Sequence, residues 1–319
     1  MKPVAPHTVG TYTRLWRHVA APLAAVGLLT ATACAQTDPL DDGSTDDGQD
    51  AVIVGSADFP ESQIIAELYA GVLRDAGVEV ETQPGIGARE AYMGAVQDGS
   101  VDVVPEYSGN LLLYVDAESG AASEEEVMDA LPQALPDGLA VLDPSEAQNK
   151  DSLVVTRGVA EEYSLTSIAD MARVCDQLVV AGPPEFRERA YGLPALESRY
   201  DCVPKSFEPI NDGGGNLTVE ALKQGDADAA NVFTTSPAIE RESLVVLKDP
   251  ENIFVAQQVV PLVAENRVPK DAVAALNDFS TKLTTRDLVE LNEAVSGADA
   301  MDPAQAANDW LVAKGYNVD

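Results

Sequence analysis

The segment VIVGSADFPESQIIAELYAGVLRDAGVEVETQPGIGAREAYMGAVQDGSVDVVPEYSGNLL, residues 52–113, constrains the fold more than any other part of the chain. Short apolar runs (VIVGS, VEVETQP, VDVVPEY) alternate with stretches of helical periodicity over about 62–76 and 89–98. Gly77 and Gly99 follow the two helical stretches, where glycine stops a helix by taking the left-handed conformation that a Cβ resists. Strands alternating with helices favour a parallel sheet covered by helices. Such sheets bind ligands beyond their strand ends, where polar loops open helices with unpaired N–H groups. Ser56-Ala57-Asp58-Phe59-Pro60-Glu61 and Tyr107-Ser108-Gly109-Asn110 both have that placement. They read as two walls of one site.

An acidic helix over 124–135 follows, then LAVLD and SLVVTR, two runs that could cross between lobes. A second α/β series begins at Ser167, with strands in QLVVAGPPEF, KSFEPI and DAANVF and helices around 193–200 and 218–224. Asp226-Ala227-Asp228 before NVFTT repeats the design of Val101-Asp102 before PEYSG, and two similar halves facing each other make a cleft. Helices over about 271–283, 285–293 and 303–314 would return to cover the first lobe. Thr285 and Asp302-Pro303 are good helix starts for two of them.

The N-terminus reads as an export signal. Arg14 and Arg17 precede the apolar run 19–32, which is short for a membrane span, and Ala31-Thr32-Ala33 lead into Cys34. This arrangement resembles a bacterial lipoprotein signal, with Cys34 carrying the lipid; ordinary cleavage after Ala33 is the alternative. The stretch AQTDPLDDGSTDDGQD that follows is too polar to build a core and fits a solvated tether. The formal charge of the 319-residue chain is -33, and all 53 acidic residues lie beyond residue 33. Such a surface repels phosphate backbones, so nucleic acid is a poor partner. Cys175 and Cys202 remain, and in an exported chain such a pair favours a disulfide over a metal site.

Enzymatic chemistry finds little support. The only two histidines, His7 and His18, lie in the leader, so the mature chain has no imidazole for proton transfer or metal ligation. Gly85-Ile86-Gly87-Ala88-Arg89-Glu90 lacks the third glycine of a dinucleotide fingerprint, and no P-loop is present. Neither a cofactor nor a metal is expected. Gly213-Gly214-Gly215-Asn216 reads as a turn. Asp58 and Glu61 read as helix caps, and Tyr191 and Tyr200 as packing on the second lobe.

GSADFPESQIIAELYAGVL, GSVDVVPEYSGNLL, GPPEFRERAYGLPALESRYD, LTVEALKQGDADAANVFTTSPAI, LVVLKDPENIFVAQQVVPLV and LTTRDLVELNEAV together resemble the osmoprotectant-type substrate-binding proteins of ABC importers, the binders of glycine betaine, carnitine and choline. The likeness runs in one order through residues 51–317. It implies a type II periplasmic-binding-protein fold of two α/β lobes closing over a ligand. The implied organisation is a signal peptide at 1–33, a tether at 34–50, a first lobe from 51–110 and 256–319, and a second lobe from 111–255. The chain would be a lipid-anchored monomer on the outer face of the cytoplasmic membrane, delivering solute to a permease and its ATPase. A lipid-anchored sensor on the same fold is the alternative.

Members of the family grip a quaternary ammonium with tyrosine faces and its carboxylate tail with polar or basic side chains. Carried over residue by residue, the tyrosine of the PEYTGT loop is Tyr107, preceding Ser108, with Asn110 in place of the closing threonine. The lysine of the first loop, Ser56 to Phe59, falls at Ala57. Further cage tyrosines fall at Ser152, Phe233 and near Gln257, with Thr234 and Thr235 kept. The family arginine matches Arg189, with Arg187 competing. On this alignment one Tyr and one Phe stand where four rings are expected. That predicts a wider pocket, poor binding of betaine, choline and carnitine, and a larger neutral, polar or aromatic ligand.

Overall fold

A computed structural model describes residues 51–296 and 299–318; the leader, Cys34 and the tether lie outside the described residues. In chain order the elements are β1 (Val52–Gly55), α1 (Pro60–Asp75), β2 (Val80–Gln83), α2 (Arg89–Asp98), β3 (Val103–Tyr107), α3 (Ser108–Val115), α4 (Glu124–Ala134) and β4 (Leu139–Val141). Next come β5 (Leu153–Val155), α5 (Arg157–Tyr163), α6 (Ile168–Ala172), β6 (Val179–Gly182), α7 (Leu193–Tyr200), β7 (Ser206–Pro209), α8 (Asn216–Gln224), β8 (Ala229–Asn231), α9 (Ala238–Arg241) and β9 (Val245–Val246). Last are β10 (Val259–Ala264), α10 (Lys270–Ser280), α11 (Thr285–Ala294) and α12 (Pro303–Lys314). Among the described residues no helix is long and apolar enough to cross a membrane.

The strands form two five-stranded sheets, ordered β2-β1-β3-β10-β4 and β7-β6-β8-β5-β9. In each, three parallel strands are joined by one antiparallel strand that has crossed from the other lobe or returned from it: β10 pairs with β3, and β5 with β8. This is the two-lobed type II arrangement. The first lobe is larger because α10, α11 and α12 return to it. Pro60 opens α1 at its first turn, and Ile64, Ile65, Leu68, Tyr69, Val72 and Leu73 form its buried face. Phe279 meets Tyr69 edge-on at 5.7 Å and Trp310 at 5.9 Å. At Gly71 a Cβ would lie 2.3 Å from Leu311 Cδ1, so the close approach of α12 to α1 requires glycine there.

The division between lobes differs from the expected one at residue 110. Leu111, Leu112, Val127, Leu131 and Leu139 are buried in one cluster with Val104 and Leu262, and β4 pairs with β10 through Leu262 opposite Val141. Residues 111–141 therefore belong to the first lobe. Helix α3 starts directly after the last residue of β3 and finds its apolar cover on the same sheet. The outgoing crossing lies near residues 148–152 and runs beside the returning one. Gln148 bridges Gln258, and Asn149 N donates to Gln257 O at 3.1 Å.

The second lobe holds the Cys175–Cys202 disulfide, with Cα atoms 5.4 Å apart. Both cysteines lie in its core beside Phe186, Tyr191 and Tyr200.

Candidate functional site

The two lobes meet across the cleft. Arg189 of the second reaches Glu90 of the first at 3.3 Å, and Asn211 Nδ2 donates to Asp58 Oδ2 at 3.4 Å. Phe59, in the loop between β1 and α1, lies between Tyr107, the last residue of β3, and Phe233, just beyond β8. Its ring centre is 6.1 Å from that of Tyr107 and 5.5 Å from that of Phe233. Between the lobes is a cavity of about 50 Å³ whose aromatic lining is Phe59, Tyr92, Tyr107, Phe186, Tyr191 and Phe233. On the scale where one water needs roughly 10–15 Å³, that is room for a few waters or one small solute.

Of the expected cage positions only Tyr107 and Phe233 bring rings to this cavity, and four further aromatic residues join them in its lining. Tyr92 comes from the buried face of α2 and Tyr191 from the loop before α7, positions that an alignment of cage residues did not reach. The signal for Tyr92 lies in α2 itself: Arg89, Tyr92, Met93 and Val96 share one buried face, which is an odd place for an arginine. Ser152, placed at a cage position, is buried, and its hydroxyl donates to Val232 O at 2.5 Å. Gln257 is also buried away from the cavity, and its Nε2 donates to Asn110 Oδ1 at 2.5 Å.

The other residues singled out in the sequence divide cleanly. Ala57, Asp58, Phe59, Tyr107, Asn110, Arg189 and Phe233 line the cavity. Ser56 and Ser108 do not: Ser56 Oγ accepts from Gly85 N at 2.9 Å, and Ser108 Oγ from Gln258 N at 3.1 Å. Thr234 accepts from Lys150 N at 2.9 Å. Arg187 turns away to lie 5.3 Å over Phe207, so that of this pair only Arg189 lines the cavity. Arg189 Nη1 donates to Tyr191 Oη at 2.9 Å, while its buried Nε has no hydrogen-bond partner among the described residues.

Glu61 does not cap α1. It is buried, and four donors converge on its carboxylate: Tyr107 Oη and Asn149 Nδ2 on Oε1, both at 2.6 Å, and Thr235 Oγ1 and Asn292 Nδ2 on Oε2, both at 2.5 Å. These donors come from β3, the outgoing crossing, the second lobe and α11. Burial, followed by the Glu61 charge, pushes the Tyr107 phenol well above the ordinary tyrosine range.

Arg89 is buried against an equally buried Glu106, with Nε to Oε1 at 2.8 Å and Nη2 to Oε2 at 2.9 Å; Tyr92 Oη donates to the same Oε1 at 2.8 Å. Burial opposes the charge on Arg89, but the forked pairing with Glu106 outweighs it and holds the guanidinium protonated. Asp151, also in the cavity wall, accepts from Asn110 Nδ2 at 2.6 Å and Asn231 Nδ2 at 3.0 Å. Neither Arg89 nor Asp151 was anticipated as a cavity residue.

Phe59 and Phe233 also border a second, more open cavity of about 390 Å³ that includes Gly213–Leu217, Thr235 and Asn292. The N-terminus of α8 at its edge is already capped, since Asp212 Oδ2 accepts from Leu217 N at 2.7 Å and Thr218 N at 3.1 Å. The Gly213–Asn216 turn is therefore no anion cradle.

Residues 50–313 match the model of a family described as the substrate binding domain of the ABC-type glycine betaine transport system. The chain is similar to the glycine betaine-binding protein YehZ of Escherichia coli K12, at 27% identity over 278 residues, covering 83% of this chain and 91% of YehZ. It is similar to the carnitine transport binding protein OpuCC of Listeria monocytogenes at 24% identity over 275 residues, covering 84% and 88%. A crystal structure described as a glycine betaine/carnitine/choline ABC transporter shares the fold, with a TM-score of 0.64 at 21% identity over 83% of this chain and 99% of that one. The family match spans most of the chain, and with the two-lobed fold it settles the family: this protein is a member of the substrate-binding family of ABC-type glycine betaine transport systems, which are binding proteins and not enzymes.

Proposed function

We propose that the protein is an extracytoplasmic receptor for a small quaternary-ammonium solute, which it passes to the permease of an ABC importer. The observation that carries the reading is the enclosure of a cavity of about 50 Å³ by six aromatic residues drawn from both lobes. A trimethylammonium group offers no hydrogen-bond donor, so electron-rich ring faces are the surface that recognises it. Each such contact contributes roughly 0.5–2 kcal/mol. The free Nε of Arg189 suits the carboxylate of a betaine-type ligand. Glycine betaine, choline and carnitine, which the resembling proteins are named for, are the candidates.

Ligand would bridge the ring of Tyr107 on one lobe and that of Phe233 on the other, stabilising the closed form because only that form offers both. The closed receptor would then dock on a permease through both lobes, tethered to the membrane by a lipid on Cys34. Calorimetric titration of the purified chain with glycine betaine, choline and carnitine tests the reading. Micromolar binding of at least one is expected. Silence toward all three would sink it.

A further inference from the structure

We infer that Asp151 is the counter-ion for a cationic head group in the aromatic cavity, and so makes that cavity select its ligand by charge as well as by shape. The inference rests on the reading of the cavity as a quaternary-ammonium site.

Asp151 is 5% exposed and stands at the end of the outgoing crossing, where the lobes meet. No arginine or lysine among the described residues forms an ion pair with it. Its two oxygens are held by neutral amides, one from each lobe: Asn110 Nδ2 on Oδ2 and Asn231 Nδ2 on Oδ1. A buried carboxylate without a cation is costly unless it is well hydrogen-bonded or meets an opposite charge. Glu61 shows what full satisfaction looks like. An ionised carboxylate has about four lone-pair sites, and four donors converge on Glu61. Two converge on Asp151.

The neighbouring cations are already committed. Arg89 is locked to Glu106, and Arg189 faces Glu90 and Glu185. Of the other carboxylates in the cavity wall, Asp58 is exposed and Glu185 is paired with Arg189. Asp151 is thus the buried carboxylate of the wall that has no cationic partner among the described residues, beside the aromatic-lined cavity. The two asparagines fix its orientation without neutralising it. A cation entering among the rings gains a nearby full charge at low local dielectric, and a neutral molecule of the same shape does not.

The test compares choline and tetramethylammonium with 3,3-dimethyl-1-butanol, the uncharged carbon isostere of choline, on wild type and on Asp151→Asn. Wild type is expected to prefer choline over the isostere by at least about tenfold. Asp151→Asn should weaken choline and tetramethylammonium by a similar factor and leave the isostere as it was. Equal affinity of wild type for choline and the isostere overturns the inference without requiring any variant to fold. So does an Asp151→Asn protein that keeps its choline affinity, or one that loses choline and isostere alike, since that would mark a structural joint between lobes. A wild type that binds none of the quaternary ammonium ions, these or betaine and carnitine, overturns the inference together with the proposed function. One that binds them with no dependence on Asp151 overturns the inference alone.

Discussion

In each lobe an aspartate that precedes a central strand ties it twice to the strand beside it. Asp102 N donates to Ile53 O at 2.8 Å while its Oδ2 accepts from Ile53 N at 2.9 Å. Asp228 N donates to Val179 O at 2.9 Å while its Oδ2 accepts from Val179 N at 2.8 Å. The same offset along the two strands leads from these aspartates to Tyr107 and Phe233, the rings on either side of Phe59. The plan is shared, but the supports differ. The first lobe carries three extra helices, a buried ion pair under its ring-bearing strand, and Glu61 behind its tyrosine. The second has none of these and is fastened by a disulfide. A repeated framework can present matching rings to a ligand while each copy is stabilised by different chemistry.

The largest effect that would break the comparison is expected at Glu106. Replacing it by Gln leaves the Arg89 guanidinium buried with no counter-charge, a change that costs about 3–5 kcal/mol. Replacing both by leucine should restore most of that loss, because two desolvated charges are removed together. Denaturant unfolding of the single and double variants measures both. A loss under about 1 kcal/mol for Glu106→Gln would mean that the pair is far better solvated than its burial indicates.

The second lobe's counterpart is its disulfide, whose cysteines are separated by 27 residues in sequence. Closing a loop of that length restricts the unfolded chain by about 3–4 kcal/mol on the entropic account. The Cys175→Ala/Cys202→Ala double variant should lose roughly that amount. Amide exchange should rise in β6, β7 and α7, with β1–β3 and α1 left protected, because no residue of the bridge touches the first core. A uniform rise over both lobes would show that they unfold as one cooperative body.

Much of this was legible in the chain. Period and punctuation mark the β-α units, because strand and helix repeats are local properties; the Asp102 and Asp228 repeat was visible for the same reason. The division between lobes was not, because it turns on β4 pairing with β10, a contact between segments more than a hundred residues apart that no local pattern reports. The site was half legible. Loop residues beyond strand ends, Asp58, Phe59, Tyr107 and Asn110, fall where such loops must lie. Tyr92 and Tyr191 reach the cavity through the facing of a helix and the path of a loop, and Ser152 and Gln257 turn into hydrogen bonds that depend on how the two crossings pair. Spacing along the chain fixes which strand a residue joins more firmly than which of its faces meets a ligand.

The smallest effect separates the two jobs of Tyr107, ring and hydroxyl, which Phe233 does not combine. Tyr107→Phe keeps the ring face and removes one of the four donors on Glu61, so affinity for a quaternary-ammonium ligand should stay within a few fold while stability falls by about 1–2 kcal/mol. Phe233→Leu should do the reverse, losing about 0.5–2 kcal/mol of binding and no polar partner. The two jobs also differ in pH response. Burial and Glu61 raise the Tyr107 phenol well above the ordinary value of 10.0, so the folded state holds this proton more tightly than the unfolded chain does. The stability it contributes is complete below about pH 10 and is lost as pH rises beyond that point. The wild-type advantage over Tyr107→Phe should therefore be constant through neutral pH and shrink on the alkaline limb of an unfolding series. An advantage that grew with alkali would mean that the phenol ionises readily in the folded protein, and Glu61 could not then be holding it as a donor.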